Sequence, residues 1–417
     1  MQTKSNHPES LIFTIFTPIN ALKMKLLLTT LTLLSSMLTF AANKPYQAID
    51  TSGKVIFEIE AERVYAFSNG MARIQQVNLV NNEWVRGKGY INKKGEVVIP
   101  CIYDKVQDFV DGRAWARKKD TKNWTLLDQQ GNEIPTNGYE KVGYIMEGYS
   151  DRIAVYKDGL MGWIDRDGKE VIPCQYLGSS TFDKEFGLAC VTKSGGNEVY
   201  GFIDKQGETV IPFRYKQAGH SSFHNGHCRV TVNGKTVLIN EKGEVQFTPK
   251  YNSLQNFSHG LMAVATKPNR KGWGYCNLKN EMVVPGVYDY ATTFNEDGYA
   301  VIEQANNKGM INNEGTLLLK MNYETIYADV TEDGYICGVH HTKEAASLAN
   351  TPKDYFDANL NPVDVGDATL MSANGGNRIP FTLNGKRGFM NRNFEIVIPA
   401  NYKKATAFND GIALVLM

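Results

Sequence analysis

The stretch that decides the fold is residues 87–116, GKGYINKKGEVVIPCIYDKVQDFVDGRAWA. Two glycine-containing turns, Lys93-Lys94-Gly95 and Asp111-Gly112, divide it into three short runs. Apolar residues fall at every second position in these runs, which is typical of strands and not of helices. Pro100 ends the middle run, because proline has no N–H to donate to a strand ladder. We therefore predict three short strands joined by tight turns.

The same order of residue types recurs along the chain. A glycine-aromatic start is followed by Asp or Asn, a turn glycine, a Val-Ile-Pro run, a Tyr, a Phe six residues later and a closing glycine. Clear further copies begin at Gly162, Gly201, Leu238, Gly272 and Gly388, and weaker copies begin near Ala48, Trp124, Gly309 and Phe356. The turn glycines Gly131, Gly168, Gly207 and Gly243 are 37, 39 and 36 residues apart. A near-fixed period of this kind indicates a repeat architecture.

We predict from this period an all-β tandem array of about ten three-stranded units, each of roughly 37 residues. A β-propeller typically has about 4–8 blades of four strands. The predicted units are more numerous and have fewer strands, so we expect an open or curled, β-solenoid-like array, with a closed, propeller-like ring as the alternative. Tyr103 and Phe109, which represent two aromatic slots of the repeat, are expected to fill the space between units.

The N-terminal 41 residues do not fit the repeat. Met24-Lys25 precedes an apolar run that ends near Ala41, which predicts a signal peptide over 24–41 behind an atypical extension. The run is short for a membrane anchor, and no Cys follows it as a lipoprotein requires. We expect an exported chain, periplasmic or extracellular, with no integral membrane span after removal of the signal and no lipid anchor. The predicted domains are the repeat array over 42–340, a degenerate repeat or insertion over 341–385 and a final repeat over 386–417.

Charge gives no reason to expect nucleic acid as a partner. The chain has 45 Lys and Arg against 44 Asp and Glu, a formal net charge of +1. Nucleic-acid-binding domains normally carry a clear basic excess.

Three repeat starts carry a resemblance to a known family. They are Lys271-Gly272-Trp273-Gly274-Tyr275, Trp163-Ile164-Asp165 and Tyr90-Ile91-Asn92, each followed by the proline, Tyr, Phe and Gly slots. On these residues the chain resembles the WG-repeat, or KWG-repeat, proteins, although the Trp-Gly pair itself occurs only at Trp273-Gly274. The resemblance implies a bacterial protein, often exported, with a role in interaction and no assigned catalytic residues. It therefore supplies no functional residues.

The Asp and Asn slots are predicted to be turn residues. Asp165 and Asn92 occupy the same slot, and an acid/base role could not accept Asn. Both side chains can bond the backbone of a tight turn.

One group of residues resembles a metal site. The densest set of candidate ligands is His220, His224, His227 and Cys228, with His259 in the matching turn of the next unit. Zinc takes such ligands, but their spacing matches no established ligand pattern. A metal site is not favoured, and no cofactor is expected. The six cysteines could be buried thiols or disulfides in an exported chain, and the sequence leaves that choice open.

Exposed aromatic residues are the best functional lead. Trp84, Trp115 and Trp124 are the candidates for stacking on a sugar ring or a peptide side chain, against core packing as the alternative. Trp163 and Trp273 stand in repeat slots and are expected in the core.

Three functions are compatible with these observations. We favour a binding module for a protein or an envelope glycan and expect no enzymatic activity. The alternatives are a structural spacer without a ligand, and an envelope hydrolase with a site in the irregular 340–387 stretch that uses His340, His341 or Asp357.

Overall fold

Antiparallel strands make up nearly all the regular structure of the chain. The computed structural model describes residues 43–80, 82–146, 151–193, 199–216, 222–251, 253–327, 334–340, 351–373 and 376–417. Within these ranges one short 3-10 helix occurs, at Pro268–Arg270. The residues from Lys44 to Met417 form one compact unit. The predicted signal peptide lies outside the described residues.

The strands are short, as the runs in the sequence predict. In chain order they are β1 (Lys44–Asp50), β2 (Val55–Ala61), β3 (Arg63–Ser68), β4 (Met71–Val80), β5 (Glu83–Asn92), β6 (Val97–Tyr103), β7 (Lys105–Val106), β8 (Arg113–Arg117), β9 (Trp124–Asp128), β10 (Glu133–Tyr139), β11 (Lys141–Val142), β12 (Ile153–Lys157), β13 (Leu160–Ile164), β14 (Glu170–Ser179), β15 (Ala189–Lys193), β16 (Val199–Ile203), β17 (Thr209–Tyr215), β18 (Cys228–Val232) and β19 (Lys235–Ile239). They continue with β20 (Val245–Phe247), β21 (Ser253–Ser258), β22 (Leu261–Lys267), β23 (Lys271–Cys276), β24 (Met282–Tyr288), β25 (Tyr290–Ala291), β26 (Tyr299–Gln304), β27 (Asn307–Asn312), β28 (Leu317–Tyr327), β29 (Tyr335–His340), β30 (Lys353–Asp357), β31 (Pro362–Val363), β32 (Thr369–Leu370), β33 (Ile379–Leu383), β34 (Lys386–Met390), β35 (Ile396–Tyr402), β36 (Lys404–Ala405) and β37 (Ile412–Leu416).

Neighbouring strands pair into antiparallel sheets. Four-stranded sheets are formed by β3–β6, β7–β10, β21–β24 and β32–β35, and another has the order β2-β1-β37-β36. Two seven-stranded sheets, β11–β17 and β25–β31, are each two four-stranded units that share a long strand. In the first of them, β14 pairs with β13 through Ile172 and with β15 through Ser179. Strands β18–β20 form a three-stranded sheet, and residues 217–221 before it lie outside the described part of the chain.

The prediction of three strands per unit is wrong, since most units have four. The missed strand is the first of each unit, and in several units it is only two residues long, as at Lys105–Val106 and Lys404–Ala405. Two residues show no alternation, so periodicity could not detect them.

The sequence repeat is out of phase with the sheets. Residues 87–116 run through β5 and β6, the third and fourth strands of one sheet, and then through β7 and β8, the first and second strands of the next. Each repeat therefore ties two consecutive units together, whether they form separate sheets or share a long strand. The same offset explains the sheet at the two ends of the chain, in which β1 and β2 are the third and fourth strands and β36 and β37 are the first and second. In this sheet β1 pairs with β37 through Ala48 with Leu414 and Ile49 with Ala413. The first and last strands thus share one sheet.

The predicted turn role of the Asp and Asn slots is confirmed. At Asn92, the side-chain oxygen accepts hydrogen bonds from the backbone N–H groups of Lys94 and Glu96, at 2.9 and 3.1 Å. Asp165 accepts the equivalent bonds from Asp167 and Lys169. The same geometry recurs between third and fourth strands at Asp50, Asp128, Asp204, Asn240, Asn277, Asn312, Asp357 and Asn391.

A glycine three residues before the Asx residue marks the sheets that carry a bulge. In β5 and β6, Tyr90 pairs with Ile99 and Lys88 with Tyr103, so two extra residues of β6 bulge opposite Gly89. A Cβ on this glycine would lie 2.3 Å from the Ile99 carbonyl oxygen. Six glycines share this register and face a carbonyl oxygen at 2.3–2.9 Å from a built Cβ: Gly89, Gly162, Gly201, Gly274, Gly309 and Gly388. We call this position the glycine slot.

The other units lack that bulge and have a different residue in the slot. Gln47 pairs regularly with Glu58, and Thr125 lies opposite a longer excursion between Ile134 and Tyr139. Val237 and Asp354 face fourth strands of only three and two residues. The register also places Trp273 one position before the slot and Trp163 one position after it. The two tryptophans therefore occupy different slots of the repeat.

Aromatic pairs join consecutive units, in the space that the Tyr103 and Phe109 slots are predicted to fill. The residue after the slot glycine packs on the Phe of the next unit, for example Tyr90 on Phe109 with ring centroids 4.8 Å apart. The equivalent pairs are Trp163–Phe182, Phe202–Phe223, Tyr275–Phe294 and Phe389–Phe408, at 4.6–5.5 Å. The tyrosines also donate hydrogen bonds to the next unit, Tyr90 to the Gln107 carbonyl and Tyr275 to the Thr292 carbonyl.

We expect Gly274→Ala to destabilise the protein, because its Cβ would lie 2.5 Å from the Val284 carbonyl oxygen and force the bulge open. The expected loss in the free energy of unfolding is about 1–3 kcal/mol, measured by chemical denaturation. The matched control is Gln47→Ala, in the same slot of an unbulged sheet, with an expected change within about 0.5 kcal/mol. Equal effects of the two substitutions would contradict the steric role of the slot.

Candidate functional site

The longest hairpin carries an exposed apolar tip. Strands β4 and β5 have ten residues each, and Leu79 pairs directly with Trp84 near their end. Leu79, Trp84 and Val85 are 57%, 56% and 40% exposed. We call these three residues the hairpin tip. Exposed apolar side chains grouped in this way mark interaction surfaces when they form a patch, so Trp84 remains a candidate for binding.

Trp115 is not available for stacking, because it is fully buried. It lies on the second strand opposite Leu126 of the third. In the β11–β17 sheet the large residue is on the third strand and the small one on the second, with Trp163 opposite Ala154. The β7–β10 sheet reverses this order, with its large residue on the second strand. Cores tolerate such rearrangements when the total volume of the side chains is kept. The exchange of large and small residues was not evident from the sequence because it involves two separate strands.

Trp124 is half-buried. Its ring packs in the core beside Trp115 and Leu126. The guanidinium carbon of Arg117 lies 5.7 Å from the Trp124 ring centroid, within the range of a cation–π interaction. Trp163 and Trp273 are in the core, as expected, at 2% and 4% exposure.

The histidine-rich turn forms local contacts. The Nδ1 atom of His227 is 2.7 Å from the Asn225 carbonyl oxygen, and the Nε2 atom of His224 is 3.3 Å from the Ser222 hydroxyl. The Nδ1 atom of His259 is 3.0 Å from the Ser258 hydroxyl. Cys228 is buried, and His220 lies outside the described residues. No group of three His, Cys, Asp or Glu in the described part of the chain is placed to hold a metal ion.

All six cysteines are free thiols, and five of them are buried. Burial raises the pKa of the Cys101, Cys276 and Cys337 thiols to about 11 and that of Cys190 to about 12. Burial also raises the pKa of Cys228 and of the half-buried Cys174. Thiols with raised pKa values are poor nucleophiles at neutral pH.

The irregular stretch after β28 borders a large cavity. It has a volume of about 710 Å³ and lies between the outer strand β28 and strands β30 and β31. Strand β31 has two residues, whereas other fourth strands such as β24 have seven. Beyond β31 the chain continues through Asp364, Val365 and Gly366, which line the cavity without pairing with β30.

Three polar side chains meet beside this cavity. The Tyr323 hydroxyl donates a hydrogen bond of 2.9 Å to Oδ2 of Asp354, and His340 Nε2 lies 2.9 Å from the same oxygen. The Tyr323 and His340 rings also pack at 5.0 Å. Burial, followed by the hydrogen bond to Asp354, raises the pKa of Tyr323. Sequence reasoning singled out His340 but missed Tyr323 and Asp354, which come from other strands.

The remaining candidates of the hydrolase hypothesis do not join this group. Asp357 is an Asx turn residue that bonds the backbone of Asn359 and Asn361. His341 lies outside the described residues.

A second cavity, of about 240 Å³, lies between strands β12 and β13 and residues 179–182 at and after the end of β14. Its lining includes the buried Trp163 and the exposed Tyr144 and Met146, which are 81% and 45% exposed. Separately, no helix in the described ranges is long and apolar enough to cross a membrane.

Comparison with known families agrees with the repeat geometry. The model of the WG containing repeat matches residues 48–78, 89–121, 161–196, 200–235, 238–267, 273–308 and 388–417. The seven segments cover more than half of the chain, and several begin within a third strand, at or near the glycine slot. The chain therefore belongs to the WG-repeat family. No curated protein matches its sequence.

Solved structures give only distant similarity. The structure titled "Crystal structure of the eukaryotic initiation factor" aligns with a TM-score of 0.46 at 7% identity, covering 77% of this chain and 95% of that one. The AztD protein of Citrobacter koseri aligns at 0.32 and 12% identity, covering 85% and 91% of the two chains. The WD40 β-propeller domain of Doa1 aligns at 0.30 and 12% identity, covering 64% and 88%. The family assignment rests on the repeat match.

The two tryptophans with opposite exposure should differ in their effect on stability. We expect Trp115→Ala to lower the free energy of unfolding by about 3–5 kcal/mol, because it leaves a cavity in the core. Trp84→Ala at the hairpin tip should change it by less than about 0.5 kcal/mol. Chemical denaturation of both variants measures the difference, and a large loss for Trp84→Ala would show that the tip is packed against the fold.

Alkylation should distinguish the thiols. At neutral pH, iodoacetamide should modify native Cys174 first, because the other five thiols are buried and protonated. Mass spectrometry of the native and the denatured protein gives the order, with all six expected to react after denaturation. Fast native modification of Cys190 or Cys228 would contradict the packing of the sheets around them.

Proposed function

We propose that this chain is an exported binding module in which about ten β units close into a ring and present surface to a protein or an envelope glycan. Closure is supported by the sheet that β1 and β37 share. It is also supported by the core cluster that packs Ile49 of β1 against Phe389 and Phe408. At the same junction, Arg378 donates a hydrogen bond of 3.1 Å to the Thr51 carbonyl.

Polar contacts between neighbouring units support the same arrangement. Arg113 donates a hydrogen bond to the Arg166 carbonyl, and Arg166 forms an ion pair with Asp111 at 2.9 Å. Lys205 and Asp151 pair at 2.8 Å one unit further on. Such contacts would hold the turns of adjacent units together at one rim and give a stiff support for a binding surface.

Binding, as opposed to a spacer role, is supported above all by the hairpin tip. A spacer needs no apolar side chains in water, and their exposure lowers solubility. The β4–β5 hairpin is twice as long as the five-residue pairs of other units, such as β12 and β13, and its extra length ends in the exposed Leu79 and Trp84. Tryptophan is enriched among residues that dominate binding energy. Export rests on the apolar run of residues 26–40 in the sequence.

The hydrolase alternative receives less support from the described residues. His340 and Tyr323 share one carboxylate oxygen of Asp354, which gives a group that can orient a ligand. A nucleophilic mechanism needs a Ser or Cys bonded to such a histidine. The side-chain hydrogen bond that the structure gives for His340 goes to a carboxylate, that of Asp354.

The hairpin tip can be tested directly with fractionated cell envelope. Immobilised residues 42–417 should retain a saturable protein or glycan partner, and the double variant Leu79→Ser, Trp84→Ser should lose at least tenfold in affinity. The matched control is Val210→Ser, which removes an aliphatic side chain of 43% exposure from an outer strand. If no partner binds the folded wild-type chain, or if the tip variant retains full binding, the proposal fails in this form.

A further inference from the structure

The cavity beside β30 has the properties of an incomplete sheet. In the β21–β24 sheet, the fourth strand pairs with the third as far as Trp273, which pairs with Tyr288. In the β30 unit, only Tyr355 and Phe356 pair with β31. On that outer side, the strand-pairing register of the described residues includes no partner for Lys353 or Asp354. Unpaired backbone N–H and C=O groups on a strand edge are a template for another strand.

The residue in the glycine slot supports the same conclusion. In six other units the slot must be glycine because the bulged fourth strand lies over it. Here the slot is Asp354, and its carboxylate borders the open space that the truncated fourth strand leaves. The side chain of Asp354 is 48% exposed and is held by Tyr323 and His340 through Oδ2. Its second oxygen, Oδ1, is directed neither to Tyr323 nor to His340.

We propose that this cavity binds an extended peptide segment of a partner protein, which pairs with the free edge of β30 and completes the sheet. Recognition by strand addition takes its affinity from main-chain hydrogen bonds and its specificity from alternate side chains. The cavity volume of about 710 Å³ gives room for several residues of extended chain. The inference rests on the proposed binding function and names a second surface, separate from the hairpin tip.

The charges at the edge define the sequence that fits. Asp354 and Lys353 are adjacent on β30 and so point to opposite faces of the sheet. Opposite charges directly across two strands are favourable, and like charges are unfavourable. The bound segment should therefore place Lys or Arg opposite Asp354 and Asp or Glu opposite Lys353, as neighbours, with β-branched residues around them.

A phage-displayed library of random twelve-residue peptides, selected on the full chain, tests this inference. We expect enrichment of extended sequences with an adjacent basic and acidic pair. Synthetic versions should bind about two- to fivefold more weakly to Asp354→Asn and to Lys353→Gln, as expected for the loss of one cross-strand charge pair. The asparagine side chain keeps one amide oxygen that can accept the hydrogen bond of Tyr323, so the fold of this variant should persist. Glu208→Gln, an exposed carboxylate in a turn of another unit, is the matched control and should bind normally.

A backbone readout separates strand addition from simple charge attraction. The bound peptide should slow amide hydrogen exchange within residues 351–357, and N-methylation of alternate peptide amides should abolish binding. The hairpin-tip double variant should bind these peptides as wild type does, so that failure of the envelope experiment and failure of this one can be told apart. The inference would be overturned by any of three results. The selection could enrich no peptide, the selected peptides could bind Asp354→Asn as tightly as the wild type, or they could bind without slowing amide exchange in residues 351–357.

Discussion

The architecture depends on one repeated contact, an aromatic ring on the third strand of one unit packed against a phenylalanine that follows the first strand of the next. Tyr90 on Phe109 and Phe389 on Phe408 show the same edge-to-face arrangement near opposite ends of the chain. Each such pair contributes about 0.5–1.5 kcal/mol beyond the area it buries. The contact joins residues that lie within one sequence repeat but in two consecutive structural units. The repeat is therefore a link between units.

The glycine slot explains why the repeat keeps its characteristic glycine while the neighbouring tryptophan varies. The fourth strand bulges by two residues, and its backbone passes so close to the third strand that a side chain has no room at Gly274 or Gly388. Four units have another residue in the glycine slot, and in these units the bulge is missing or altered. The residues are Gln47, Thr125, Val237 and Asp354. Glycine and the bulge occur together, which indicates that steric exclusion maintains the motif.

Departures from the repeat coincide with the surfaces proposed to bind. The β4–β5 hairpin exceeds the usual strand length and exposes the tip with Leu79 and Trp84. The β30 unit has a fourth strand of only two residues and has Asp354 in the glycine slot, beside a cavity of about 710 Å³. Each unit packs mainly on its two neighbours. One unit can therefore differ in sequence and strand length while the contacts among the other units keep the array folded. This independence allows two separate binding surfaces on one scaffold.

The sequence by itself determined the class of fold, the turns and the inter-sheet aromatic slots. These features depend on local chemistry. The alternation of apolar and polar residues predicts the strands, and Asx residues such as Asn92 predict the turns. The Phe slot, which Phe109 represents, recurs at a fixed distance from the Tyr slot of Tyr103. Only the tertiary structure decided the number of strands in a unit, the pairing of β1 with β37, the burial of Trp115 and the meeting of Tyr323, His340 and Asp354. Each of these depends on which strands lie side by side, and residues that are distant along the chain set that arrangement. The short first strands and the exchange of Trp115 with Leu126 leave no periodic signal in the sequence, because their physical basis is packing across strands.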